Sequence, residues 1–111
     1  MENLYLIKMK SDQEEFYKIG TSVHRYCRFY ELMKPGYQIE IVYMVFGIDF
    51  YEAIKAETEL HKIFIPYEPL KKFGGYRECF SNVNIDLFKE KLNQLISSHS
   101  EITENLQISW R

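Results

Sequence analysis

Residues 4–21 read LYLIKMKSDQEEFYKIGT, and this stretch decides the fold because two strand-like segments enclose a polar turn. Leu4 to Met9 is mostly apolar, as expected of a buried strand, and Phe16 to Thr21 is a second such segment that contains Gly20. About six polar residues join the two segments, which suits an antiparallel hairpin. The sequence therefore predicts a sheet that begins with two antiparallel strands.

The rest of the chain alternates between helical and strand patterns. In order, it reads as a helix over residues 23–33, a strand over 37–46, a helix over 49–64, a loop over 66–75, a short strand-like piece over 76–80 and a helix that opens at Asn84 or Asp86. This order, β-β-α-β-α-α, predicts an α/β fold in which a small three-stranded antiparallel sheet is flanked by helices.

The C-terminal residues carry a weaker pattern. From about Ser97 the chain is polar apart from Ile102, Leu106, Ile108 and Trp110. We therefore predict one domain over residues 1–98, followed by a C-terminal tail or docking segment over residues 99–111.

Composition limits the class of protein. The chain has 111 residues, of which 46% are hydrophobic, so one domain with one core is expected. The formal net charge of −2 argues mildly against strong stand-alone binding of duplex DNA, because such affinity comes from neutralised phosphates. A local basic surface is still possible, since Lys18, His24, Arg25 and Arg28 are close in sequence. Two cysteines without CxxC spacing, and no apolar run of membrane length, indicate an intracellular protein of the cytoplasm or nucleus.

Glu57 and His61 occupy unusual positions in the second predicted helix. They lie four residues apart within a broad apolar arc, whose other members are Phe50, Ala53, Ile54, Ala56, Leu60, Ile63 and Phe64. A carboxylate that faces the core costs several kcal/mol unless it is paired or bound to a cation. Glu57 is therefore a metal-ligand candidate, with an arginine-paired structural carboxylate as the alternative. His61 is equally well read as a hydrogen-bonded core histidine.

Four short motifs, taken in order, resemble the GIY-YIG nuclease superfamily. The matches are Asn3-Leu4-Tyr5 for Gly-Ile-Tyr, Lys18-Ile19-Gly20 for Tyr-Ile-Gly, Arg28 at the spacing of the family arginine, and Glu57 on the helix after the third strand. A phage and large-DNA-virus branch of the superfamily is similar at further positions. These are Tyr17-Lys18-Ile19-Gly20, the helical run ETELHKIF over residues 57–64, and Arg77-Glu78-Cys79-Phe80, with Gly20, Glu78 and Phe80 as motif residues of structural type.

The resemblance implies a metal-dependent DNA endonuclease, and it assigns roles to individual residues. Glu57 would hold a single divalent cation, Mg²⁺ or Mn²⁺, and Arg28 would bind phosphate oxygens. The remaining catalytic candidates are Tyr5 and Tyr17 as motif tyrosines, and Lys18 and His61 as residues that assist proton transfer. Lys18 also replaces the second motif tyrosine, so an ammonium that contacts DNA phosphate is a further expectation.

Several of these assignments have alternatives. Arg28 lies away from the apolar stripe of the first helix and Arg25 borders that stripe, so Arg25 is a rival for the phosphate contact. Tyr5 and Tyr17 could instead be cross-strand packing residues. For the whole chain, the alternatives are a DNA-binding module of the same fold that cuts weakly or not at all, and an interaction domain that binds no nucleic acid.

Overall fold

The computed structural model describes residues 1–108, which form a five-stranded antiparallel sheet with helices on both faces. The elements are β1 (Glu2–Lys10), β2 (Glu15–Ser22), α1 (Cys27–Met33), β3 (Gln38–Ile48), α2 (Phe50–His61), a 3-10 turn (Tyr76–Glu78), β4 (Cys79–Phe80), α3 (Ile85–Leu95) and β5 (Glu101–Ile108). The strand order is β4-β2-β1-β3-β5, so β1 is the central strand and β4 and β5 are the two edges.

The predicted three-stranded sheet with β-β-α-β-α-α order is therefore wrong. The β1–β2 hairpin is present, with Tyr5 opposite Gly20, but two further strands extend the sheet. β4 has only two residues, too few for a periodic pattern. β5 lies along β3 with most of its side chains exposed, so its sequence lacks the apolar alternation of a core strand. Residues 109–111 of the predicted C-terminal segment lie outside the described residues.

The sheet has a separate hydrophobic core on each face. Because successive side chains on a strand point to opposite faces, Leu4 and Leu6 pack under α2 and α3. Tyr5 and Ile7 pack on the other face, which α1 covers. Residues of both cores are almost fully buried. The two faces meet only around the edges of the sheet, and this matters for the site described below.

The helices differ from the sequence prediction at their ends and on one surface. α1 begins at Cys27 rather than at residue 23, because the Ser22 side chain bonds to the backbone of His24 and holds a turn there. α2 is capped as predicted by Asp49, whose carboxylate accepts from Tyr51 N at 3.1 Å. The predicted apolar arc of α2 is only partly buried, since its members Phe50, Ile54 and Ile63 are exposed.

Candidate active site

Lys18 is a fully buried lysine with two partners. Its side chain is 1% exposed, and its Nζ donates to the Tyr5 hydroxyl at 2.9 Å and to Glu78 Oε1 at 3.0 Å. Burial alone would lower the pKa of Lys18, but Tyr5 and Glu78 outweigh it and raise this pKa above its usual value. Lys18 is therefore a charged ammonium at neutral pH. Its ammonium is in the interior and bonds to Tyr5 and Glu78. The expected contact between Lys18 and DNA phosphate is therefore not available at the protein surface.

Two glycines provide the space for this ammonium. A Cβ on Gly20 would come within 2.5 Å of the Tyr5 hydroxyl and 3.0 Å of Lys18 Nζ. A Cβ on Gly75 would lie 3.0 Å from both Lys18 Nζ and Glu78 Oε1, and Gly75 also has a φ of +82°. A side chain at either position would collide with Lys18 or with one of its two partners. The site therefore requires glycine at both positions.

Glu57 and Glu78 form an acidic pair. Burial of the Glu57 carboxyl, followed by the charge of Glu78, raises the pKa of Glu57 to about 7 against the opposing effect of Lys18. A hydrogen bond to Glu78 and the charge of Glu2 raise it further. Because two close carboxylates resist being ionised together, the pair retains a proton close to neutral pH. A divalent cation could take the place of that proton.

His61 completes a set of three possible metal ligands. Its Nε2 lies 2.9 Å from the carbonyl oxygen of Ile19, so Nε2 carries a hydrogen, and Nδ1 is the ring nitrogen left to bind a metal. Ligand atoms of Glu57, His61 and Glu78 all lie within 4.8 Å of one another. Two carboxylates suit Mg²⁺ or Mn²⁺, whereas an imidazole also suits zinc. The donor set thus fits a divalent cation without selecting Mg²⁺.

Arg28 and Arg25, the two rivals for the phosphate contact, point to opposite edges of the sheet. Arg28 donates from Nη2 to the carbonyl oxygen of Gly74 at 2.7 Å. Gly74 precedes Gly75, which borders Lys18 and Glu78, so Arg28 contacts the loop that lies against these two residues.

Arg25 points elsewhere. It forms an ion pair with Glu101 on β5, and its guanidinium carbon lies 4.1 Å from the centroid of the Phe46 ring. The hydrogen bond of Arg28 therefore leads to the loop that borders Lys18 and Glu78, whereas the contacts of Arg25 lead to β3 and β5.

The motif tyrosines have different environments. Tyr5 is 1% exposed and packs edge-on against Phe29, with 5.0 Å between ring centroids. Tyr17 adjoins Lys18 on β2, so its side chain lies on the opposite face, where it packs against the core beneath α2 and α3. Phe80 pairs with Tyr17 and is buried in the same core, which makes it a packing residue. The structure thus joins Tyr5 to Lys18 and separates Tyr17 from it.

Sequence reasoning missed one acidic residue and gave another too small a role. Glu2 is only 7% exposed and contributes to the raised pKa of Glu57. Its signal was its alternation with Leu4 and Leu6, which places all three on the α2 face of β1. Glu78 was read as a structural motif residue, yet it connects Lys18 to Glu57.

No protein-family model, curated protein or solved structure matches the chain. Among the helices of residues 1–108, none combines the length and the apolar character needed to cross a bilayer. Functional inference therefore depends on the side chains of the site.

Proposed function

We propose that the chain is a divalent-metal-dependent endonuclease that hydrolyses DNA phosphodiester bonds. One observation carries the proposal. Tyr5, Lys18, Glu78 and Glu57 form one continuous network, and Arg28 bonds to Gly74 in the loop that borders it. These five residues come from five separate elements of the chain, and the motif order had singled out each of them. Their meeting at one edge of the sheet is what a common chemical task requires.

Glu57 and Glu78 are the proposed metal ligands, and His61 can add its Nδ1. A bound Mg²⁺ or Mn²⁺ would supply positive charge to a phosphate oxygen and to the leaving oxygen. The protein's own contribution is to hold both carboxylates in place. Lys18 fixes Glu78 from one side, and the Ile19 carbonyl fixes the orientation of His61 from the other.

Arg28 is the proposed phosphate-binding residue. Its guanidinium is permanently charged and carries several N–H donors in a fixed fork. One of these donors bonds to the Gly74 carbonyl oxygen and thereby aims the group along the loop. The remaining donors can bind the non-bridging oxygens of a phosphodiester, where they stabilise the charge that develops during hydrolysis.

Lys18 and Tyr5 act as an internal pair. The Tyr5 oxygen accepts a hydrogen bond from the Lys18 ammonium, and this bond fixes the position of the Tyr5 hydroxyl. In this arrangement Lys18 positions Tyr5 and Glu78 together, and it does not contact DNA. Tyr5 and His61 are the candidate groups for moving the proton of the attacking water.

A second candidate function is a DNA-binding module that cuts weakly or not at all. The observation that favours it is burial, since the side chains of both Tyr5 and Lys18 are at most 1% exposed. The net charge of −2 also limits strong binding of duplex DNA.

The test is nicking of supercoiled plasmid in the presence of Mg²⁺ or Mn²⁺, with Glu57→Ala, Glu57→Gln and Glu59→Ala compared with the unaltered protein. Glu59 lies on the same helix and pairs with Lys62 at 3.3 Å, so it is a matched control. Both Glu57 variants are expected to lose activity by about 100-fold or more, with Glu59→Ala unchanged. Equal nicking by the unaltered protein and Glu57→Ala would overturn the proposal. Binding without any nicking would favour the DNA-binding module.

A further inference from the structure

A cavity on the outer side of the 3-10 turn lies outside the network just described. Its volume is about 530 Å³, within the range of sites that hold small ligands. Its lining residues are Pro66, Tyr67, Glu68, Lys72, Tyr76 and Arg77. Two of these, Tyr76 and Arg77, directly precede Glu78 of the acidic pair in the same turn.

Two tyrosines give the cavity aromatic walls that are held in place. The Tyr67 hydroxyl donates to Glu14 Oε1 at 2.7 Å, and its ring stacks on Phe16 with 5.1 Å between centroids. Tyr76 is half-buried and packs in part against the same core. A ring that is already fixed loses little conformational freedom when a flat ligand stacks on it.

Two cations adjoin the Tyr76 ring. Lys72 Nζ lies 4.6 Å from the ring centroid and the guanidinium carbon of Arg77 lies 5.7 Å from it. Arg77 also donates from Nε to the Tyr76 hydroxyl at 3.3 Å. Aromatic rings bordered by cations are the combination that binds single-stranded nucleic acid, since a base stacks on the ring while a cation meets the phosphate.

We propose that this cavity binds one unpaired nucleotide of a DNA strand, with its base against Tyr76 and its phosphate between Lys72 and Arg77. The identification of the strand as a substrate rests on the proposed nuclease function. A 3-10 helix rises about 2 Å per residue, so Tyr76 and Glu78 are about 4 Å apart along its axis. The bound nucleotide would therefore be a close neighbour of Glu78, one of the proposed metal ligands. The substrate class that follows is single-stranded or branched DNA, rather than an intact duplex.

Glu68 opposes this binding, so replacing it gives a test in which nucleotide affinity should rise. Its carboxylate pairs with Lys72 at 2.8 Å, and its side chain is 80% exposed. It therefore competes with a phosphate for the same ammonium. Glu68→Gln removes the competing charge while keeping the size of the side chain, so it should strengthen binding.

The experiment measures fluorescence anisotropy of a labelled oligothymidine of about 12 nucleotides, and of a duplex of the same length, in EDTA so that no cleavage occurs. The unaltered protein should prefer the single strand. Tyr76→Ala should weaken single-strand binding about 10-fold, and Tyr76→Phe should preserve it because the ring remains. Glu68→Gln should tighten binding about threefold. Lys62→Ala, a change at an exposed lysine at the end of α2, is the control and should have no effect.

Several results would overturn the proposal. They are no binding of the oligothymidine by the unaltered protein, equal affinity for strand and duplex, or unchanged binding in both Tyr76→Ala and Glu68→Gln. Thermal unfolding of each variant identifies losses caused by misfolding, and Tyr76→Phe and Glu68→Gln keep the test valid if Tyr76→Ala does not fold. The nicking assay is independent of this one. Single-strand binding without metal-dependent nicking would leave the nucleotide site standing and would refute the nuclease.

Discussion

The two edges of the sheet use similar residues in different ways. At the β3 edge, β5 pairs with β3 from Ile39 to Phe46, and the cation Arg25 meets the carboxylate Glu101 in solvent. At the β2 edge, β4 pairs only with Tyr17 and Lys18. Within the described residues, the end of β2 after Lys18 therefore has no strand beside it on that edge. There the Lys18 ammonium meets Glu78 in the interior.

The short pairing of β4 explains why chemical groups gather at only one edge. Where β4 stops, the carbonyl oxygen of Ile19 is bound by His61 instead of by a strand. Side chains from opposite faces can also meet around the opening, which is how Lys18 on one face comes to influence Glu57 on the other. On the other side of the sheet, β5 pairs with β3 along most of its length and leaves no such opening. Incomplete strand pairing is therefore the structural origin of the site.

The largest expected effect separates Arg28 from Arg25. Arg28→Ala should reduce DNA nicking by about 10²-fold to 10³-fold, because a charged donor that is aimed at the phosphate is lost. Arg25→Ala should leave nicking within about twofold, since its guanidinium is engaged with Glu101 and Phe46 at the other edge. The measurement is the initial nicking rate at saturating metal. Equal losses in both variants would mean that the two edges do not differ in function.

A smaller effect is expected from two glycines, one at each edge. A Cβ on Gly20 would lie 2.5 Å from the Tyr5 hydroxyl, and one on Gly47, which has a φ of +73°, would lie 2.5 Å from Ser100 Oγ. Gly20→Ala and Gly47→Ala should each destabilise the fold by about 1–3 kcal/mol through overpacking. Only Gly20→Ala should also slow nicking, though less than Arg28→Ala does, because it displaces Tyr5 from Lys18.

Chemical denaturation followed by circular dichroism measures the loss of stability in both glycine variants. The nicking rate per folded molecule measures the loss of activity. If Gly47→Ala impaired nicking as strongly as Gly20→Ala, the network at the β2 edge would have no special role. Retention of full activity by Gly20→Ala would remove Tyr5 from the mechanism.

The sequence predicted the central part of the fold and did not add the strand-like piece over 76–80 or the C-terminal segment to the sheet, for physical reasons. The hairpin was predictable because a strand with one buried face carries an apolar period of two, as Leu4 and Leu6 illustrate. β5 carries no such period, since it contributes backbone hydrogen bonds and few buried side chains. β4 is too short to have any period. A three-stranded sheet was therefore the largest sheet that side-chain patterning could predict.

The site was predicted in part. Physical reasons again explain which of its residues the sequence could indicate and which it could not. Glu57 was found because a carboxylate within an apolar arc requires a partner, and its raised pKa agrees with that argument. The choice of Arg28 over Arg25 came from motif spacing alone. Helical periodicity could not provide it, because Arg25 precedes α1 in the structure and the partner of Arg28, Gly74, lies in the distant 66–75 loop. Tyr17 was assigned with Tyr5, although strand alternation places it on the face opposite Lys18.

The smallest expected effect is a difference in pH dependence between the two edges. The pKa of Glu57 is raised to about 7, so in metal-free protein its protonation stabilises the fold fully below pH 4.5, and this stability is lost as the pH rises through 7. The hydrogen bond with Arg25 lowers the pKa of Glu101, so that contribution is present above pH 4.5 and is lost only in acid. The melting temperature in EDTA should therefore fall between pH 5 and 8 for the unaltered protein.

Glu57→Gln should show a flatter profile over that interval. Glu101→Gln should melt slightly lower than the unaltered protein above pH 4.5, with the same slope between pH 5 and 8, and the two should converge in acid, where Glu101 itself is protonated. Addition of Mn²⁺ above pH 7 should restore the lost stability, because the cation replaces the proton between Glu57 and Glu78. A profile for Glu57→Gln that is as steep as that of the unaltered protein would contradict the assignment of the raised pKa.

The strand order also determines when the sheet can close during synthesis. β1 and β2 are able to pair as soon as both have left the ribosome, and β3 then adds to β1. The outer edge of β3, with Ile39, Ile41 and Val45 along the strand, stays open until Glu101–Ile108 has been translated. An open apolar edge is a template for pairing with other chains. The β3 edge of the nascent chain is therefore open to pairing with other chains during this interval, and β5 covers that edge once it is in place.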